Sequence, residues 1–189
     1  MTDGREKQEG DWIDDKSVEP GVWRYARASR ATVLVDAEDY FALMREAMGK
    51  ARRRIHLIGW DFDTRIHLVE GRRWWQRLWN KDAPIRLGSY ILWLRRHRPE
   101  LEILILKWSI GFLKFFGRGM MLFDIARWAR HKRIQFKFDT AHPFGCSHHQ
   151  KIVVLDDKVA VCGGIDMTSE RWDTREHRED EPGRRTPNG

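Results

Sequence analysis

The chain has 189 residues, of which 41% are hydrophobic and 33% charged, and 35 Lys plus Arg against 28 Asp plus Glu give a formal charge of +7. That length supports one domain with a sizeable core, so neither a disulfide framework nor a zinc quartet is needed to hold it, and two cysteines would supply neither. Charges such as Lys107, Lys114 and Arg118 interrupt every long apolar stretch, and the opening MTDGREKQEG has no apolar segment of the kind a signal peptide carries. A reducing, cytoplasmic setting is the expectation.

Residues 1–22 hold 3 basic and 7 acidic side chains and lack apolar periodicity, which predicts a disordered tail. Thr32–Val35 reads as a short strand. Asp36 reads as the cap of a helix running to about Ala51, with Glu38 and Asp39 in its first turn and Tyr40, Phe41, Met44 and Met48 on one face. Arg54–Trp60 is a β run that ends in Asp61-Phe62-Asp63. A helix over Gly88–His97 closes before Pro99, and Leu101–Trp108 reads as a buried strand. A helix over about Met120–His131 precedes a strand at Ile134–Phe138. Gln150–Leu155 and Val159–Cys162 form two more β runs around a turn at Asp156-Asp157. The polar stretch 173–189 predicts a second disordered tail, which leaves 23–172 as the domain. Strands alternating with helices imply a layered α/β domain.

Charge is concentrated in the middle: residues 51–133 carry 19 basic and 7 acidic side chains, or +12. A basic stretch of this size suits an anionic partner, either lipid phosphate or nucleic acid, or else a set of solvated helix faces. Ten tryptophans add a second bias. Trp74, Trp75 and Trp79 lie among Arg72, Arg73, Arg77 and Lys81, and Trp108 leads into Phe112, Phe115 and Phe116. Core packing explains such residues, and so does a peripheral membrane contact, for which Trp108–Phe123 is the best candidate.

The chemistry-bearing stretch is Ser147-His148-His149-Gln150-Lys151, then Asp156, then Gly163-Gly164-Ile165-Asp166. On a strand, residues two apart share a face, so His149 and Lys151 project together while His148 points away. A neutral imidazole can attack phosphorus and split one hard displacement into two easier ones. The Lys151 ammonium offers positive charge to the non-bridging oxygens. Gly163 and Gly164 let backbone N–H groups approach an anion, and Thr168 and Ser169 are placed to cap a following helix. Asp156 stands at a hairpin turn, where a carboxylate commonly caps backbone N–H groups. Asp61 and Asp63 share a strand face and make a thin case for a metal without a third ligand. Cys146 and Cys162 read as packed thiols. His56, His67, His97, His131, His142 and His177 fit no ligand spacing.

The spacing H-x-K, four residues, D, six residues, G-G resembles the HKD signature of the phospholipase D superfamily. The string HPFGCSHHQKIVVLDDKVAVCGGIDMTSERWD at 142–173 and GWDFDTR at 59–65 are most similar to its bacterial phospholipase D-like branch. The resemblance covers about residues 23–175. It implies a layered α-β-α domain with a mixed central sheet flanked by helices, and a site of His149, Lys151 and Asp156 with Gly163, Gly164 and Asp166 on the substrate side. No cofactor and no metal are implied. Asp166 departs from the family's usual Asn, since an ionised Asp cannot donate to phosphate, so a different role is expected, such as orienting a histidine.

Family members use two HKD motifs, one histidine attacking and the other protonating the leaving alcohol. With one motif here, the resemblance implies a homodimer that completes the site or a missing C-terminal half, and truncation is the favoured expectation. Three functions follow: a phospholipase D-like phosphodiesterase acting on phospholipid, a homodimeric nuclease, or an inactive remnant that binds phosphate or membrane.

Overall fold

The structure is a computed structural model that describes residues 12–13, 20–22, 25–69, 83–108, 119–143 and 145–184. The Trp/Arg-rich stretch 72–81, most of the Trp108–Phe123 segment and most of the expected N-terminal tail lie outside the described residues. The chain divides into two compact units, Met1–Leu34 and Val35–Gly189, a later boundary than the expected start of the domain at residue 23.

In the first unit β1 (Trp12–Ile13) pairs antiparallel with β2 (Tyr25–Ala26), Trp12 opposite Ala26. Two residues of the expected tail therefore sit in a strand pair. Thr32–Val35 is not a strand: it is apolar enough for one, but among the described residues no strand pairs with it.

The second unit opens with α1 (Asp36–Lys50), which buries Ala37, Tyr40, Phe41, Met44 and Met48 at three- and four-residue spacing. Asp36, Glu38 and Asp39 lie at its positive end. Asp36 does not cap it. Val35 holds the N-cap position and no side chain caps the helix, while Asp36 is its first residue and its carboxylate lies 3.4 Å from His177 Nε2. After α1 come β3 (Arg54–Gly59), α2 (Leu87–His97), β4 (Glu102–Trp108), α3 (Gly119–Trp128), β5 (Ile134–Asp139), β6 (Ile152–Leu155) and β7 (Val159–Cys162). The helix expected to reach His131 thus stops at Trp128. Arg86, just ahead of α2, pairs with buried Asp124 of α3 at 2.8 Å, and Trp128 Nε1 donates to the Gly88 carbonyl.

The strands form one mixed sheet in the order β5-β4-β3-β6-β7, with β3, β4 and β5 parallel and β6 antiparallel to both neighbours. This is the layered α/β architecture that the alternation of elements implies. Register aligns its buried face in rows. Leu155, Ile55, Ile103 and Ile134 form one row, and Val153, Leu57, Ile105 and Phe136 the next. All of these side chains but half-buried Phe136 are buried, and they form the core under the sheet.

The segment 173–184, expected to be a tail, carries turns and packs on the start of α1. The Glu38 N–H donates to the Asp173 carbonyl, and Arg175 pairs with Asp39 at 2.7 Å. Residues 185–189 lie outside the described residues.

Candidate active site

One row further along the same face, the composition changes. Lys107 stands opposite Gly59 on one side and Phe138 on the other. Extending the β3–β6 register by one residue brings Lys151 opposite Gly59. The third row is therefore Lys151, Gly59, Lys107 and Phe138, with two buried lysines flanking a glycine directly above an apolar core. This row lies at the carboxyl ends of the parallel strands, where open α/β sheets bind ligands. Residues 140–150 carry the chain from the end of β5 to the start of β6 and pass the ends of β4 and β3 on the way. His148 Nδ1 meets the Asp139 carboxylate, His142 lies against Trp108 at 6.0 Å, and His149 meets the edge of Trp60 at 5.7 Å. Trp60 and Trp108 stack at 5.4 Å.

His149 and Lys151 come together. Lys151 Nζ lies 3.1 Å from His149 Nε2. An ammonium can only donate, so Nε2 is the acceptor and the ring proton belongs on Nδ1. The imidazole is exposed, while the lysine side chain that meets it is only 7% exposed. Both precede β6 rather than lying within it, yet the extended backbone keeps the alternation of sides that the spacing predicts.

Asp166 is partnered by this lysine, not by a histidine. Its Oδ2 lies 3.2 Å from Lys151 Nζ as an ion contact without an aligned hydrogen bond, and its Oδ1 accepts the Trp60 N–H at 3.1 Å. The carboxylate is almost wholly buried and sits over Gly59: a Cβ there would come within 3.0 Å of Asp166 Oδ1 and 2.8 Å of the Asp61 carbonyl oxygen. Only glycine leaves that space. Tyr40 lines the same small cleft, and burial followed by the Asp166 charge pushes its hydroxyl up to about 12, so the phenol stays neutral.

Asp156 is not brought to this end. It follows Leu155 at the far end of β6, five residues of extended chain or roughly 16 Å from Lys151. There its carboxylate accepts the N–H groups of Arg52, Arg53 and Arg54 at 2.7–2.9 Å. Burial would raise its carboxyl, but these three hydrogen bonds and the Arg53 charge outweigh that and hold it below the usual range. Asp156 and Asp157 both take left-handed backbone, with φ of 54° and 57°, which Asp tolerates in a hairpin turn. Its position supports the capping role, with no contact to the histidine.

Gly163 and Gly164 are exposed, and a Cβ on either would meet nothing within 4 Å. The space above them is open, although the Gly163 N–H donates to the Lys151 carbonyl at 3.3 Å and is not aimed at an anion. No helix follows Thr168 and Ser169 among the described residues. The Thr168 hydroxyl instead donates to Asp61 Oδ2 at 2.8 Å. Asp61 and Asp63 lie past the end of β3 and are engaged by cations: Lys107 Nζ is 2.6 Å from Asp61, and Arg65 pairs with Asp63 at 2.8 Å. No group of three or more His, Cys, Asp or Glu among the described residues is arranged to hold a metal ion. Cys146 and Cys162 are exposed thiols, not packed ones.

Sequence reasoning missed Lys107, Trp60 and Trp108 as neighbours of the motif, as well as the His148–Asp139 contact. Lys107 carried a visible signal, a lone charge inside an apolar β run. Its relation to Lys151 depends on β3 lying between their strands, which spacing alone does not reveal.

No family model matches the chain. It is 26% identical over 158 residues to phospholipase D A of Dictyostelium discoideum, a match covering 82% of this chain and 12% of that protein. It is 27% identical over 153 residues to phospholipase D1 of Homo sapiens, covering 76% and 13%. Phospholipase D zeta 1 of Arabidopsis thaliana is 27% identical over 153 residues, covering 79% and 13%. The chain thus spans about an eighth of the length of these relatives. The matches support a likeness to the phospholipase D superfamily. No helix among the described residues is long and apolar enough to cross a membrane.

Proposed function

We propose that His149, Lys151 and Asp166 form half of a phosphodiester-transfer site of the HKD type, within the bacterial phospholipase D-like branch. The substrate we assign is a phospholipid, whose phosphatidyl group passes to water or another alcohol. The observation that carries this reading is the 3.1 Å approach of Lys151 Nζ to His149 Nε2 at the carboxyl ends of the parallel strands.

At rest the ammonium donates to Nε2 and keeps that nitrogen unprotonated. An arriving diester offers its non-bridging oxygens to the same ammonium, which frees the Nε2 lone pair to attack phosphorus. The P–N bond forms as the P–O bond to the headgroup alcohol breaks, and the departing oxygen takes a proton from a general acid. Water or an alcohol then attacks phosphorus, loses its proton to the same group, and returns the electron pair of the P–N bond to Nε2. Asp166 balances the buried lysine throughout, so the floor of the site is never left with an unpaired charge. The general acid we assign is the histidine of a second HKD motif, supplied by another copy of the chain in a homodimer or by further polypeptide. Exposed Gly163 and Gly164 leave room for the diester on that side.

The test is release of headgroup from phospholipid vesicles, run beside cleavage of an oligonucleotide, with sedimentation mass measured on the same sample. Headgroup release by an assembled species, abolished in His149→Asn, is the expected result. The +12 balance of residues 51–133 favours nucleic acid as the second reading, and oligonucleotide cleavage alone would establish it. A strict monomer that turns over neither substrate would leave only a phosphate- or membrane-binding remnant.

A further inference from the structure

The segment Trp60–Asp63 takes no part in the chemistry above, yet it meets the loop carrying Asp166 residue by residue. The Trp60 N–H donates to Asp166 Oδ1 at 3.1 Å, the Asp63 N–H donates to the Met167 carbonyl at 2.9 Å, and the Thr168 hydroxyl donates to Asp61 Oδ2 at 2.8 Å. Three consecutive loop residues are thereby templated on one short segment after β3. That segment is itself anchored, because Asp61 Oδ1 accepts both Lys107 Nζ at 2.6 Å and the Phe62 N–H at 2.8 Å. The Lys107 side chain is 5% exposed and rises from β4 in the same row as Lys151, with Gly59 between them.

We infer that Asp61 and Lys107 are positioning residues: their ion pair fixes the template that holds Asp166, and through Asp166 it keeps the Lys151 ammonium aimed at His149 Nε2. The inference rests on the functional reading above for its consequence in turnover, while its structural content stands apart from that reading. Neither residue reaches a diester, since the Lys107 ammonium is buried and already held by the Asp61 carboxylate. The chain of contacts is short and polar, and every link is between 2.6 and 3.2 Å. A shift of about 1 Å in such an arrangement is enough to cost a reaction about a hundredfold.

The proton position on His149 tests this without requiring activity. In the wild-type chain, imidazole 15N spectra are expected to show His149 with its proton on Nδ1, because Nε2 accepts from Lys151. The double variant Asp61→Asn/Lys107→Met removes both charges together and strands neither, so it should fold. It is expected to lose that tautomer bias and, where wild type turns over diester, to lower kcat about a hundredfold with KM within about threefold. Thr168→Val removes a single hydroxyl and keeps the ion pair; it should weaken the bias, whereas Thr168→Ser should retain it. Should the double variant not fold, Thr168→Val against Thr168→Ser decides alone. A His149 tautomer unchanged from wild type in the double variant, or in Thr168→Val where that decides, overturns the inference whatever the turnover. A wild-type chain that cleaves no diester but shows the coupled tautomer change supports the inference and removes the functional reading instead.

Discussion

The two ends of β6 put the same kinds of residue to opposite uses. At its start an exposed imidazole stands over a buried lysine, and the lysine's carboxylate partner is buried beside it. At its end a half-exposed carboxylate is saturated by three backbone N–H groups and holds the start of β3. One short sequence pattern spans both ends, because four residues of strand separate them. The difference shows why a spacing signature is not a list of reacting groups: the residues before the strand bring an imidazole and an ammonium together, and the one after it staples the sheet.

Changes at the two ends should separate activity from stability. Lys151→Met is expected to have the largest effect. It removes the cation from the phosphate, for about 10²–10³ in turnover, and strands buried Asp166, for about 3–5 kcal/mol of stability. Denaturant unfolding beside headgroup release would read both losses. Gly59→Ala comes next. Its Cβ would press on the Asp61 carbonyl and Asp166 Oδ1, so turnover and stability should fall together, the latter by about 1–3 kcal/mol. Asp156→Ala should sharpen the contrast. It is expected to cost about 2 kcal/mol of stability and, below the unfolding temperature, to leave turnover within about twofold of wild type. The pH dependence has a definite sign. Since the folded state holds the Asp156 carboxyl below its ordinary 3.8, its contribution is fully present above that value and fades as pH falls through the lower folded one. The stability gap between wild type and Asp156→Ala should therefore be constant at neutral pH and shrink in acid. The smallest effect belongs to Cys146→Ser with Cys162→Ser, two exposed thiols whose replacement should change neither melting temperature nor turnover.

Local pattern carried much of this. The helical spacing of Tyr40, Phe41, Met44 and Met48, the β runs from Arg54 onward and the Asp156-Asp157 turn are all properties of short stretches, and the structure places them close to where they are read, with the run read from Gln150 starting only at Ile152. The approach of His149 to Lys151 follows from backbone alternation alone. What failed depended on distant partners. Thr32–Val35 has the composition of a strand and no strand partner among the described residues, Thr168 found Asp61 rather than a helix, and Asp166 found Lys151 rather than a histidine. The pairing of Lys107 with Asp61 requires knowing that β3 and β4 are parallel neighbours, and no spacing within either strand encodes that.

The central claim is that His149 Nε2 forms a bond to phosphorus. Rapid denaturation in detergent at mildly alkaline pH, after brief exposure of the assembled protein to a 32P-labelled phospholipid diester, tests it directly. An acid-labile, base-stable label on the peptide containing His149, absent in His149→Asn, is the result this account predicts. Headgroup release at full rate by His149→Asn would contradict it.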